Sequence, residues 1–180
     1  RQLGNVGWSW KDVLPYFKKS EDFQFGENEF HGSGGPIKVE KIRATFKVLD
    51  LFLEAAEEFG YKKTEDFNSG NNEGMGYFPL TVKNGFRCSA AVGYLNPIKK
   101  RKNLKIITNA HIKNIEFKNK KAIKINYWVD NELFSVKANK EIILSAGTIG
   151  SPHILQASGI GPGKLLKNNN VEIVKDHSGV

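Results

Sequence analysis

The rhythm of apolar and polar positions changes once along this chain, near Asn103. Before that point the apolar residues recur at helical spacing or are scattered through loops. After it they come in short runs with the alternation of strands. In the first part, Phe46, Leu49, Leu53 and Ala56 mark one face of a predicted helix over Thr45–Phe59, with Lys47, Glu54, Glu57 and Glu58 on other faces and Gly60 suited to the stop. An earlier helix is expected to start with Asp12 as its cap, because Pro15 then falls in the first turn, where a missing N–H costs no bond. That helix would turn Leu14 and Phe17 inward and Lys18, Lys19 and Glu21 outward. The run His31 to Pro36 reads as a flexible turn delivering the chain into a short strand, Ile37–Val39. Residues 62–78, rich in Asn, Gly and acidic side chains, read as a loop anchored by Met75 and Phe78. Gly85–Pro97 reads as a turn and a short helix, capped by Ser89 and stopped before Pro97.

In the second part, Leu104–Thr108, Ile112–Phe117, Ala122–Trp128 and Leu133–Ala138 are predicted strands. Turns at Lys118–Lys121 and Asp130-Asn131 fold the last three into an antiparallel meander. The apolar run Ile142–Leu144 follows and is expected to be a strand buried on both faces. A helix should begin at Ser151, with Pro152 in the first helical position and Gly159 in the left-handed position past its end. Leu165-Leu166 opens another short helix, and Val171–Val174 reads as an edge strand.

Composition narrows the choices. At 180 residues with 39% apolar content the chain can bury a core, and it holds no uncharged apolar span of membrane length. The net charge of +8 raises an anionic partner. Only Lys99-Lys100-Arg101-Lys102 is dense, however, and no aromatic platform accompanies it, so a solvated loop is expected rather than a nucleic-acid patch. One cysteine, Cys88, excludes an internal disulfide, and the compartment stays open. Asp66 and Glu73 lack the spacing of a calcium loop, and Gly159–Lys164 lacks the Walker spacing. Arg87, Cys88 and Ser89 have no neighbouring His and acid that would make a nucleophile credible, so neither a catalytic nor a metal site is assigned. The beginning at Arg1 and the ending at Val180 read as cuts through a longer chain.

The stretch with most chemical content is Ser145-Ala146-Gly147, an almost bare turn at the carboxyl end of a predicted strand, where open α/β sheets bind ligands. It continues as Thr148-Ile149-Gly150-Ser151-Pro152-His153-Ile154-Leu155-Gln156-Ala157-Ser158-Gly159-Ile160-Gly161, and from Gly147 onward this resembles the second signature of the glucose–methanol–choline (GMC) oxidoreductases. Val13-Leu14-Pro15-Tyr16-Phe17 after a Trp-rich turn, the His31–Pro36 run, and the stretch from Arg87 to Pro97 are similar to other segments of that family, in its glucose-dehydrogenase-like form.

The resemblance implies an α/β fold of mixed helices and strands. It comprises part of a glutathione-reductase-type FAD-binding domain with a β-meander, over residues 104–180, and part of a substrate-binding domain, over residues 1–103. It implies FAD as cofactor, a small alcohol or sugar as substrate, and oxidation of a CH–OH group by hydride transfer to the flavin. Cofactor contacts fall to Ile112, through its backbone, and to Ala146 and Gly147. The family's catalytic histidine and its Gly-rich dinucleotide loop match nothing here: His31, His111, His153 and His177 fit no catalytic motif, and this piece alone is expected to be inactive. The resemblance also makes secretion an open option. The other class to weigh is a noncatalytic basic interaction module that keeps part of a flavoprotein scaffold.

Overall fold

A computed structural model describes residues 2–180. The chain divides into two compact units, Arg1–Lys105 and Ile106–Val180.

The first unit opens with helix α1, Trp10–Ser20. Its cap is Ser9, not the expected Asp12. Asp12 sits at the third helical position, and its carboxylate accepts both the Ser9 backbone N–H, at 3.0 Å, and the Ser9 hydroxyl. This capping arrangement outweighs the bond lost at Pro15, which therefore lies inside the helix. The same Ser9 hydroxyl and N–H hold the Asp12 carboxyl below its ordinary range. Strand β1, Glu21–Phe23, pairs in parallel with β2, Ile37–Val39, and buries Phe23. Phe17, expected to face inward, is 63% exposed.

Helix α2 runs Lys47–Glu58, starting two residues later than expected. Gly60 takes a positive φ of 100° and ends it. Leu53 and Ala56 are half-buried, whereas Phe46 and Leu49 are exposed. Strands β3, Val82–Lys83, and β4, Phe86–Arg87, form a small hairpin around Asn84-Gly85. A π-helical turn, Ala91–Leu95, follows; the Ser89 hydroxyl accepts the Val92 N–H there, at 3.3 Å.

The second unit is built on the meander β5, His111–Lys118, β6, Lys121–Val129, and β7, Glu132–Lys137, in the order β5-β6-β7. Both connections are two-residue turns with positive φ, Asn119-Lys120 and Asp130-Asn131, whose twist suits an antiparallel hairpin. Helix α3, Gly147–Ala157, lies against β5, and Ile115 of the strand and Ile154 of the helix are buried. The Ser158 hydroxyl links the two: it accepts the Ile115 N–H at 2.8 Å and donates to the Ile154 carbonyl. Strand β8, Ile160–Gly161, pairs in parallel with β9, Lys175–Asp176, and helix α4, Gly163–Asn168, lies between them in sequence. The Asp176 carboxylate accepts the Gly163 N–H at 2.8 Å at the start of α4, and Leu166 of that helix is 2% exposed. Gly159, as expected, takes a left-handed φ of 87°, and a Cβ there would lie 2.3 Å from the Glu172 carbonyl oxygen.

Three expected strands differ as well. Leu104–Thr108 forms no strand, and neither does Ile142–Leu144, because neither run finds a pairing partner among the described residues. Ile142 and Leu144 are half-buried while Ile143 is 79% exposed, so one face of that run is packed rather than two. The edge strand forms at Lys175–Asp176, just beyond Val171–Val174.

Candidate functional site

The second unit is concave at the carboxyl end of the 142–144 run. A cavity of about 290 Å³ lies there, between β5 and β6 on one side and the segment 142–146 on the other. Ile112, Ile115 and Ile125 come from the sheet, Ile154 from α3, and Leu144, Ser145 and Ala146 from the segment itself. This places two of the three residues singled out by sequence, Ile112 and Ala146, on one cavity. Gly147 follows directly as the first residue of α3. The lining carries no titratable side chain. It can seat an apolar or aromatic group and shed water from it, but it cannot move a proton.

Local chain geometry explains why the rim is bare. Gly147 has a φ of 82°, a conformation open to glycine and strained for other residues, and a Cβ placed on it would meet nothing within 4 Å. Helix α3 starts five residues before the expected first position, Pro152, and Ser151 serves it differently: its hydroxyl accepts the Ala146 N–H at 3.0 Å. Pro152 lies inside the helix rather than at its first position. With the Ala146 N–H occupied, the N–H groups of Gly147, Thr148 and Ile149 are the ones left without intrahelical acceptors. They open at an exposed rim where Ile149 is 85% exposed.

Ile112 lies opposite Tyr127 in the β5–β6 ladder, and the register shifts between Ile112 and Asn114. A bulge of this kind leaves backbone groups outside the ladder. β5 is also an edge of the three-stranded sheet, so its outer backbone is free of strand partners. Its Ile115 N–H is taken by Ser158.

The four histidines divide sharply. His111, His153 and His177 are exposed, whereas His31 is buried in the first unit between Glu21 and Asp66. Sequence spacing offers no signal for that triple, since 35 residues separate His31 from Asp66. The roles of Ser151 and Ser158 in fixing the cavity walls were equally hidden: each is a serine near a helix end, but its partner is set by the fold. Among the described residues no cluster of side chains could hold a metal ion, and no helix is long and apolar enough to cross a membrane.

The family model described as GMC oxidoreductase matches residues 1–173. An oxygen-dependent choline dehydrogenase of Pseudomonas putida is 42% identical, over 98% of this chain and 32% of its own length. A protein of the same description from Brucella anthropi is 36% identical over 99% of this chain and 32% of its own. Among solved structures, pyridoxine 4-oxidase from Mesorbium loti superposes with a TM-score of 0.90 at 28% identity, over 98% of this chain and 35% of that one. An FAD-dependent oxidoreductase from Chaetomium thermophilum gives 0.87 at 31% identity, over 99% and 34%. The chain thus spans about a third of the length of the curated relatives it matches, at 32% of each.

Proposed function

The chain belongs to the GMC oxidoreductase family, and from that premise we propose that it forms part of an FAD-dependent enzyme oxidising the CH–OH group of a small alcohol or sugar. Residues 104–180 are its contribution to the cofactor-binding domain, and residues 1–103 belong mostly to the substrate-binding domain. The observation that carries this reading is the apolar cavity shared by Ile112 and Ala146, with the side-chain-free Gly147 at its rim.

The residues present fit a dinucleotide cofactor. Ile112, Ile115 and Ile154 offer an apolar wall to an aromatic ring, and the bulge after Ile112 leaves backbone groups free to read a ring edge. Ala146 and Gly147 admit the close approach of another molecule to the backbone. The free N–H groups at the start of α3 suit an anionic portion of the same molecule. When bound, FAD supplies the hydride-accepting chemistry; the chain binds it, orients it and keeps water from it.

The test uses the full-length protein, scanned for flavin absorbance near ~450 nm and then mixed anaerobically with choline, glucose and simple primary alcohols. Bound flavin that bleaches with one of these supports the reading, and the substrate that bleaches it sets the class. A protein with no flavin, and none after reconstitution, would leave only a basic module on a flavoprotein scaffold.

A further inference from the structure

A buried imidazole in the first unit has no part in the cofactor site. His31 is 3% exposed and stacks on Phe23 with ring centroids 3.8 Å apart and planes 14° from parallel. Carboxylates from two distant segments meet its two nitrogens. Nδ1 lies 2.9 Å from Glu21 Oε2 and 3.1 Å from Oε1, and Nε2 lies 2.9 Å from Asp66 Oδ2. Each carboxylate is also an acceptor for a backbone N–H: Glu21 Oε2 from Gly32 at 3.0 Å, and Asp66 Oδ1 from Asn68 at 2.8 Å.

A neutral imidazole has one donor and one acceptor nitrogen, while an ionised carboxylate only accepts. A ring with one proton can serve one of these partners and faces the other lone pair to lone pair. We propose that His31 is carried as the imidazolium and works as a proton-dependent clamp, fastening the 62–78 loop, through Asp66, to β1, through Glu21. Charge-assisted bonds of this type are the strong ones. The clamp is closed while the ring holds both protons; a ring with one proton keeps it on Nδ1, which faces both Glu21 oxygens, and the Asp66 arm, which rests on a single oxygen, opens.

Of the other charged groups on the surrounding elements, Lys11, Lys19, Glu29, Lys62, Lys63 and Glu73 are exposed, and the rest are engaged elsewhere. Lys18 of α1 pairs with Glu27 and donates to the Asn28 carbonyl, and Asp22 of β1 pairs with Lys38 of β2. In the loop itself Glu65 pairs with Lys41, and Tyr77 donates to Asp50 of α2. Those two contacts tie the loop to other elements without reference to His31. Opening the clamp therefore loosens the Asp66 end of the loop rather than releasing all of it.

The test is made on the full-length protein. Imidazole ¹⁵N shifts report the protons on His31 directly, and hydrogen exchange is followed at the amides of Thr64 and Met75, which close the loop on itself through the Met75 and Lys62 carbonyls. Rates are corrected for the intrinsic effect of pH. In the wild type, both ring nitrogens carry protons at mildly acidic pH, and exchange at these two amides accelerates about tenfold on going to alkaline pH, the effect of one charge-assisted bond. In Asp66→Asn the side-chain amide can donate to an unprotonated nitrogen, so the loop stays protected and the pH dependence disappears. A singly protonated ring at mildly acidic pH would overturn the proposal. So would an Asp66→Asn protein that keeps the wild-type pH dependence.

Discussion

The two units are held together by different means. In the first, the ladders are two or three residues long and the tie points are polar: His31 between Glu21 and Asp66, Glu40 with Arg43, Lys41 with Glu65. Its buried apolar side chains are few, Phe23 and Cys88. In the second, strands of eight, nine and six residues pair along most of their length, interrupted by two register shifts between β5 and β6, and α3 and α4 bury Ile154 and Leu166. A long ladder satisfies its own backbone and needs only one apolar face, so it carries its instructions locally. Short ladders joined by loops leave backbone and side-chain groups that distant residues must satisfy. The cofactor site proposed above lies on the unit with the local instructions. The proton-dependent clamp lies on the other.

Substitutions in each unit probe this contrast. The largest effect is expected from Phe23→Ala, which removes the buried ring beneath His31 and costs about 3–5 kcal/mol of stability by denaturant unfolding. A loss no larger than that of a surface change would mean that the first unit does not hang on this ring. Leu166→Ala in the second unit comes next, at about 2–5 kcal/mol, because α4 has no other fully buried side chain to take up the gap. Ser158→Ala leaves the buried Ile115 N–H without its partner and is expected to cost about 1–3 kcal/mol, with faster amide exchange at Ile115 as a local readout.

The smallest effect is a pH dependence on the polar face of the meander. Lys124, and then Asn126, hold the Glu116 carboxyl below its ordinary range. Its folded-state pKa is depressed, so the associated stabilisation is present above the ordinary glutamate range and is lost as pH falls through the lowered value. Glu116→Gln should flatten that acid limb slightly without altering stability at neutral pH by more than a surface pair is worth. An unchanged acid limb would assign the dependence to other carboxylates.

The same contrast governs what could be read from the chain. The meander was legible because alternation, a two-residue Asp130-Asn131 turn and a Lys118–Lys121 turn all point one way. Gly159 was legible because its left-handed position has few other occupants. The Asn84-Gly85 hairpin carries an equally plain signal, two residues with positive φ, but its strands are too short to show alternation.

At α1 the proline argument favoured Asp12 and overlooked that Ser9 and Asp12 can cap reciprocally, an effect of spacing rather than of either residue alone. At α3 the Ser-Pro pair imitated a helix start, whereas Gly147 had already turned the chain and Ser151 reached back to Ala146. Leu104–Thr108 and Ile142–Leu144 have the composition of strands, but a strand exists only with a partner. His31, Glu21 and Asp66 could not have been grouped from spacing, since what unites them is a fold that brings residue 66 to residue 31.

If the bare rim at Ala146-Gly147 is where this chain meets FAD, the flavin content of full-length Gly147→Val, measured beside the wild type, depends on it without an intervening step. The substitution adds a side chain at a position that is exposed and where a Cβ would meet nothing within 4 Å, so it obstructs the approach of a ligand more than the packing of the fold, apart from the strain of the positive φ. The wild type should show a full flavin spectrum, and the variant should keep its secondary structure by circular dichroism while losing most of its flavin. A variant that folds and retains flavin at the wild-type level would contradict contact at the rim.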